Sequence, residues 1–195
     1  MKKVVANEAA IILIDHQVGT MNWIGSIEKK IVEANTRALA KVAISLDMPI
    51  VFTSSQEDKM QGPLMPELER IAPKAFAARV KRDGIVNCWD DAAFVKACHN
   101  TGRNQLIMAG VTTEVCLAPP AICAKEEIFD VYAVVDASGS SSTLTDDIAF
   151  RRMERHGVEL TTTSSIISEL AVNWSNFGGV KLIQILGEEV LGAAH

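Results

Sequence analysis

Only four cysteines occur among the 195 residues of this chain (Cys88, Cys98, Cys116 and Cys123), and no two stand in C-x-x-C spacing. That speaks against a structural zinc site, which draws on paired cysteines or histidines close in sequence. Histidine does not fill the gap, because His16, His99, His156 and His195 are scattered and offer no ligand pair at helical spacing. Basic excess is missing as well. Nineteen Lys and Arg against 24 Asp and Glu leave a net charge of −5, which excludes the electrostatic footprint of a nucleic-acid binder. Long hydrophobic runs are also lacking. The opening MKKVVANEAAIILID holds a brief apolar run interrupted by Asn7 and Glu8, too short for a membrane span and followed by no small-residue cleavage site. The chain is therefore expected in the reducing cytosol, without a membrane partner, its cysteines free thiols.

What is present reads as an ordinary globular chain, 48% hydrophobic and 22% charged. Residues 1–195 are expected to form one domain, with its core over about 9–175 and a tail over 176–195 that packs or makes an oligomer contact. Short apolar runs alternate with longer stretches of helical periodicity. AAIILID (9–15) suits a strand buried on both faces of a parallel sheet. PIVFTSS (49–55), FAARVKR (76–82), NQLIMAG (104–110), DVYAVVDA (130–137) and VELTTT (158–163) give five more strands. Helical patterns lie between and after them at 26–47 (Ser26 as N-cap), 64–71, 90–102, 113–127, 141–157 and 164–174. The alternation predicts an α/β fold: a six-stranded parallel sheet, order 3-2-1-4-5-6, with helices on both faces.

Two polar anchors stand out against that frame. Cys116 opens the helix after the fourth strand, where unpaired N–H groups and the positive dipole end favour a thiolate. The plain alternative is a small buried hydrophobe. Asp15 ends the first strand, and strands one and four are neighbours where the order reverses, the place doubly wound sheets bind ligands. A desolvated carboxylate there suits a general base, although a loop carboxylate or helix N-cap is the competing reading. A cation to orient it is available in RVKRDG, from Arg79, Lys81 or Arg82.

LIDHQ (13–17), KRDGIVNCWDD (81–91), AGVTTEVC (109–116) and VVDASGS (134–140) together resemble the isochorismatase-like cysteine hydrolases, in particular the YcaC-like branch. The resemblance spans about residues 9–175 and implies a three-layer Rossmann-like fold. It implies Asp15 as general base, Cys116 as nucleophile, and a basic partner after the third strand. Arg82 has the favoured offset for that partner; Lys81 is adjacent, and strand alternation lets only one of them point inward. The resemblance further implies a non-proline cis peptide between Val111 and Thr112, aiming the Thr112 N–H, with the Cys116 N–H, at an oxyanion. Gln17, Asn87 and Trp89 are candidate pocket residues, though Asn87 and Trp89 could equally pin the loop after strand three. Met21 and Trp23 could wall the cavity or meet a partner subunit, and Asp136 and Ser138 could simply cap the next helix. His16 should face away from Asp15.

Family members that use a metal carry aspartate and histidine ligands after strand two, and TSSQEDKMQG here has no histidine. No metal and no cofactor are expected. The chemistry implied is hydrolysis of a small amide or amide-like substrate through a thioester on Cys116. A thiol redox protein, with Cys123 as resolving thiol, is one alternative; an oligomeric binding protein with a vestigial pocket is another. The resemblance also implies a homo-oligomer, from dimer up to octamer.

Overall fold

A computed structural model describes residues 3–192. Its six strands are β1 (Ala9–Ile14), β2 (Ile50–Ser55), β3 (Val80–Arg82), β4 (Gln105–Gly110), β5 (Asp130–Val134) and β6 (Glu159–Thr161). All pair in parallel, in the order β3-β2-β1-β4-β5-β6. The eight helices are α1 (Lys29–Ser45), α2 (Pro66–Ile71), α3 (Pro73–Ala77), α4 (Ala92–Asn100), α5 (Ala118–Glu127), α6 (Thr143–Arg155), α7 (Thr163–Ala171) and α8 (Phe177–Ile185).

The continuous apolar run of β1 has a direct cause in this topology. Successive side chains of a strand point to opposite faces, and both faces of a central parallel strand are covered. Ile11 and Leu13 enter one core with Val32, Leu39, Ile166 and Leu182. Ile12 and Ile14 enter the other with Phe94, Ala121 and Met153. Each such side chain removed from water contributes about 1.5–3 kcal/mol, so this strand tolerates polar residues only at its end. Asp15 comes directly after it.

Several boundaries differ from the expected ones. α1 starts later than 26, with Glu28 rather than Ser26 at its N-cap; the Ser26 hydroxyl instead accepts the Ser140 N–H at 2.9 Å. The run 76–82 is a strand only over its last three residues, because Pro73 opens helix α3 just before it. Strand five stops at Val134 and turns through a short 3₁₀ segment. The tail is helical: α8 and the following turn Leu186–Leu191 lie on α1. Leu182 is buried there, and Glu189 pairs with Arg37 (2.8 Å) and Lys41 (2.6 Å). Residues 193–195, His195 included, fall outside the described residues. Among those described, no helix is long and apolar enough to cross a membrane.

The sheet register sets up the site. Ile14 lies opposite both Thr53 of β2 and Gly110 of β4, so the carboxyl ends of the three central strands are level. The chain leaves β1 for one face of the sheet and β4 for the other, opening a crevice between them.

Candidate active site

Asp15 takes a backbone φ of 57°, a left-handed conformation that aspartate enters more readily than most side-chain-bearing residues. Its N–H still extends the ladder to Thr53 O at 3.0 Å, while its carbonyl accepts the Gln17 N–H (2.7 Å) and the Thr20 hydroxyl (2.6 Å). This turn holds the carboxylate rigidly over the strand ends, only 2% exposed.

Arg82 closes β3 and is just as deeply buried. Its guanidinium donates from Nε to Thr53 Oγ1 (3.0 Å) and from Nη1 to Ile85 O (2.5 Å) and Val86 O (3.3 Å). Nη2 donates to both oxygens of Asp15. All three guanidinium nitrogens are thereby engaged by the protein. Lys81 does not share the site. Alternation along β3 turns it outward, where its ammonium meets Glu57 Oε2 at 3.0 Å. Arg79 also pairs with Glu57.

Cys116 sits in a wide turn, Thr113–Leu117, that runs directly into α5. Gly110 is what lets this turn approach the sheet: a Cβ at that position would stand 3.1 Å from Cys116 O and 3.3 Å from Ile14 Cβ. The Val111–Thr112 peptide is cis. Segment 138–140 straps the turn from outside. Ser138 Oγ accepts the Gly110 N–H at 3.1 Å, Gly139 O accepts the Thr113 N–H at 3.1 Å, and Ser140 Oγ lies 2.6 Å from Glu114 Oε2. Ser138 thus supports the turn rather than capping the next helix. Asp136 does not cap the next helix either, which has Ser142 at its N-cap; it accepts the Thr163 N–H and hydroxyl at 2.8 Å each, at the start of α7.

The Cys116 thiol and the Asp15 carboxylate line the same cavity. The two groups shape each other's protonation. Burial, reinforced by the charge and hydrogen bond of Asp15, pushes the thiol well above its ordinary value, against the pull of Arg82. Burial also raises Asp15, opposed by Arg82 and by the thiol hydrogen bond. This corrects the expectation of a thiolate stabilised by a helix start. The Cys116 N–H is already engaged by Thr112 O at 2.7 Å, and the charge of Asp15 raises the thiol instead of lowering it. The resting pair is a thiol facing a base. The same bond takes the Cys116 N–H out of the expected oxyanion pair, and Thr112 is not among the residues that line the cavity.

Asp15, Arg82 and Cys116 open on a cavity of about 190 Å³. Gln17 borders it, but its amide is committed to Ser55 O (2.9 Å), the Ser55 N–H (2.8 Å) and Gly62 O, clamping two loops together. Trp23 lines the wall, whereas Met21 lies in the core. Asn87 and Trp89 do not line this cavity. Asn87 accepts the Trp89 N–H at 3.1 Å, and the Trp89 ring packs on Phe94 and Phe129 with its Nε1 donating to Glu127 at 2.7 Å. They pin the loop. His16 is fully buried on the other side, its Nε2 against Ala137 O at 2.8 Å. Sequence reasoning missed Thr20, Ser55, Gln56, Gln61, Val86 and Val115 as wall residues; apart from Val115 and Val86, which lie inside recognised motifs, nothing local marks them. Among the described residues, no three His, Cys, Asp or Glu side chains cluster closely enough to hold a metal ion.

A buried carboxylate–guanidinium pair beside a cysteine, at the reversal point of a 3-2-1-4-5-6 sheet, is the arrangement the family resemblance implied. The chain belongs to the isochorismatase family, whose domain model matches residues 9–165. It is similar to the probable hydrolase YcaC of Escherichia coli K12, with 41% identity over 87% of this chain and 81% of that protein. The E. coli YcaC structure, described as an octameric hydrolase of unknown specificity, superposes with a TM-score of 0.93 at 38% identity, covering 100% of this chain and 94% of the other. YcaC of Pseudomonas aeruginosa, solved with hexane-2,5-diol and covalent acrylamide, gives the same TM-score and identity over 99% and 94% of the two chains.

Proposed function

We propose that this isochorismatase-family hydrolase cleaves a small amide or amide-like substrate through a thioester on Cys116. The observation that carries the reading is that Cys116 and Asp15 line one cavity, near enough for each to shift the other's protonation. As Sγ attacks the substrate carbonyl carbon, its proton passes to Asp15. The carbonyl oxygen becomes an oxyanion, for which the Thr112 N–H is the backbone donor that the family resemblance implies. Collapse breaks the C–N bond, Asp15 returns its proton to the departing nitrogen, and a thioester remains. Asp15 then takes a proton from water, which attacks the thioester and regenerates the thiol with release of a carboxylic acid.

Arg82 keeps the carboxylate oriented throughout and offsets its charge. No metal enters these steps, since base, orienting cation and nucleophile are all side chains. The redox reading finds less support. Cys123 lies seven residues further along a helical run, a rise of about 10 Å, beyond the roughly 7 Å that a disulfide allows between Cα atoms. The octameric E. coli relative supports a homo-oligomer for this chain too, and exposed Phe177, Val180 and Ile183 on α8 are compatible with one.

The test is to incubate the protein with a panel of small amides and read intact mass. An acyl adduct mapped to Cys116, absent from Cys116→Ala along with turnover, is expected. Undiminished turnover by Cys116→Ala sinks the proposal.

A further inference from the structure

The charge census of the cavity says what sort of substrate it accepts. Of the residues that line it, apart from the Cys116 thiol, only Asp15 and Arg82 are ionisable, and they are paired with each other. Every guanidinium nitrogen of Arg82 already donates within the protein, to Thr53, Ile85, Val86 and Asp15. The remaining polar groups are neutral: the Gln56 and Gln61 amides and the Ser55 and Thr20 hydroxyls, set among Trp23, Val86 and Val115. The other two cations at the end of β3 are committed as well, Arg79 and Lys81 to Glu57.

A carboxylate or phosphate entering this space would lose water and gain no cation, facing the negative end of the Asp15 pair instead. An uncharged amide loses less and can be met by the neutral donors and acceptors. Size points the same way. The 190 Å³ available lies below the range of about 300–1,000 Å³ of pockets built for larger ligands.

We propose that the site selects uncharged amides of a few heavy atoms and discriminates against anionic analogues of the same size. The inference rests on the Cys116 hydrolase reading for the reaction, but concerns only what the cavity admits. One consequence follows for turnover. Hydrolysis of R–CO–NH₂ by water gives R–COOH and NH₃, and the acid ionises at neutral pH. A cavity without a free cation then holds the product more weakly than the substrate, so release of the carboxylate is favoured by the same arrangement.

Iodoacetamide and iodoacetate test this on the full-length protein, because they are nearly the same size and differ by one negative charge. Alkylation at Cys116 is followed by peptide mass spectrometry, with each rate divided by that of glutathione under identical conditions. Cys116 is expected to favour the amide over the acid by at least about tenfold more than glutathione does, the cost of a like charge placed beside another. Val86→Lys, which adds a cation at an exposed lining position, is expected to shrink that preference. A glutathione-like ratio, or no labelling of Cys116 by either reagent, overturns the proposal. Failure of the hydrolase reading would look different: strong discrimination between the reagents without any acyl-enzyme from amides.

Discussion

Arg82 meets both carboxylate oxygens of Asp15 through a single nitrogen, Nη2. The other guanidinium nitrogens are tied to β2 and to the loop after β3. The pair is a fixed object, positioned by three strands at once. That rigidity is what a base needs if it is to take a proton from Cys116 in one step and return it in the next. Because Arg82 offsets only part of the cost of burial, the carboxylate is left more basic than an ordinary aspartate.

Asp15→Asn therefore separates two roles that usually fail together. The carboxylate raises the Cys116 thiol by charge and by hydrogen bond, while Arg82 lowers it. Removing the first and keeping the second makes the thiol more acidic. We expect hydrolysis to fall by about 10²–10⁴-fold, the usual contribution of a general base. The pH profile of Cys116 alkylation should move to lower pH in the same variant. A profile displaced to higher pH would mean that Asp15 does not face the sulfur as a base.

The order of the sheet was legible because β1 and β4 are uninterrupted apolar runs, which only a strand covered on both faces requires. Strand β3 was blurred by its length. Three residues carry little periodicity, and the Phe76-Ala77 pair before it satisfies a helix end as well as a strand start. At the site, Asp15, Arg82 and Cys116 could be named because each ends or follows a strand, where topology confines them. Asn87 and Trp89 misled because nearness to a motif says nothing about side-chain direction. Gln56 and Gln61 were invisible for the opposite reason: they reach the cavity through folding of the loop after β2, with no local pattern.

Gly110→Ala should uncouple activity from stability. The added methyl meets Cys116 O at 3.1 Å and Cys116 C at 3.2 Å, so the turn carrying the nucleophile must shift by a few tenths of an ångström. Overpacking of this kind costs about 1–3 kcal/mol, measurable as a lower urea midpoint with the slope unchanged. Misplacement of a reacting atom costs disproportionately more, approaching about 10²-fold for a shift of about 1 Å. Acyl-enzyme formation should thus drop further than stability. Equal losses in both would show that Gly110 serves only packing.

His16 gives the fold a pH dependence of its own in the mildly acid range. Its ring is fully buried, Nε2 bonded to Ala137 O and Nδ1 without a partner among the described residues. Burial is the dominant cause that lowers its pKa from 6.5 to about 4, with the Ala137 bond opposing. Below about pH 6.5 the unfolded chain takes up a proton at this residue that the folded chain refuses until about pH 4. Between those values the unfolded state holds more protons, so stability falls as pH falls and levels off beneath the folded value. Integrated over the window, one such group amounts to about 3 kcal/mol. His16→Gln keeps a donor toward Ala137 O and removes the titration. Urea unfolding at pH 7, 6, 5 and 4 should therefore show a shallower acid decline in the variant than in the parent protein. Parallel declines in the two would mean that the buried imidazole is already protonated in the folded chain.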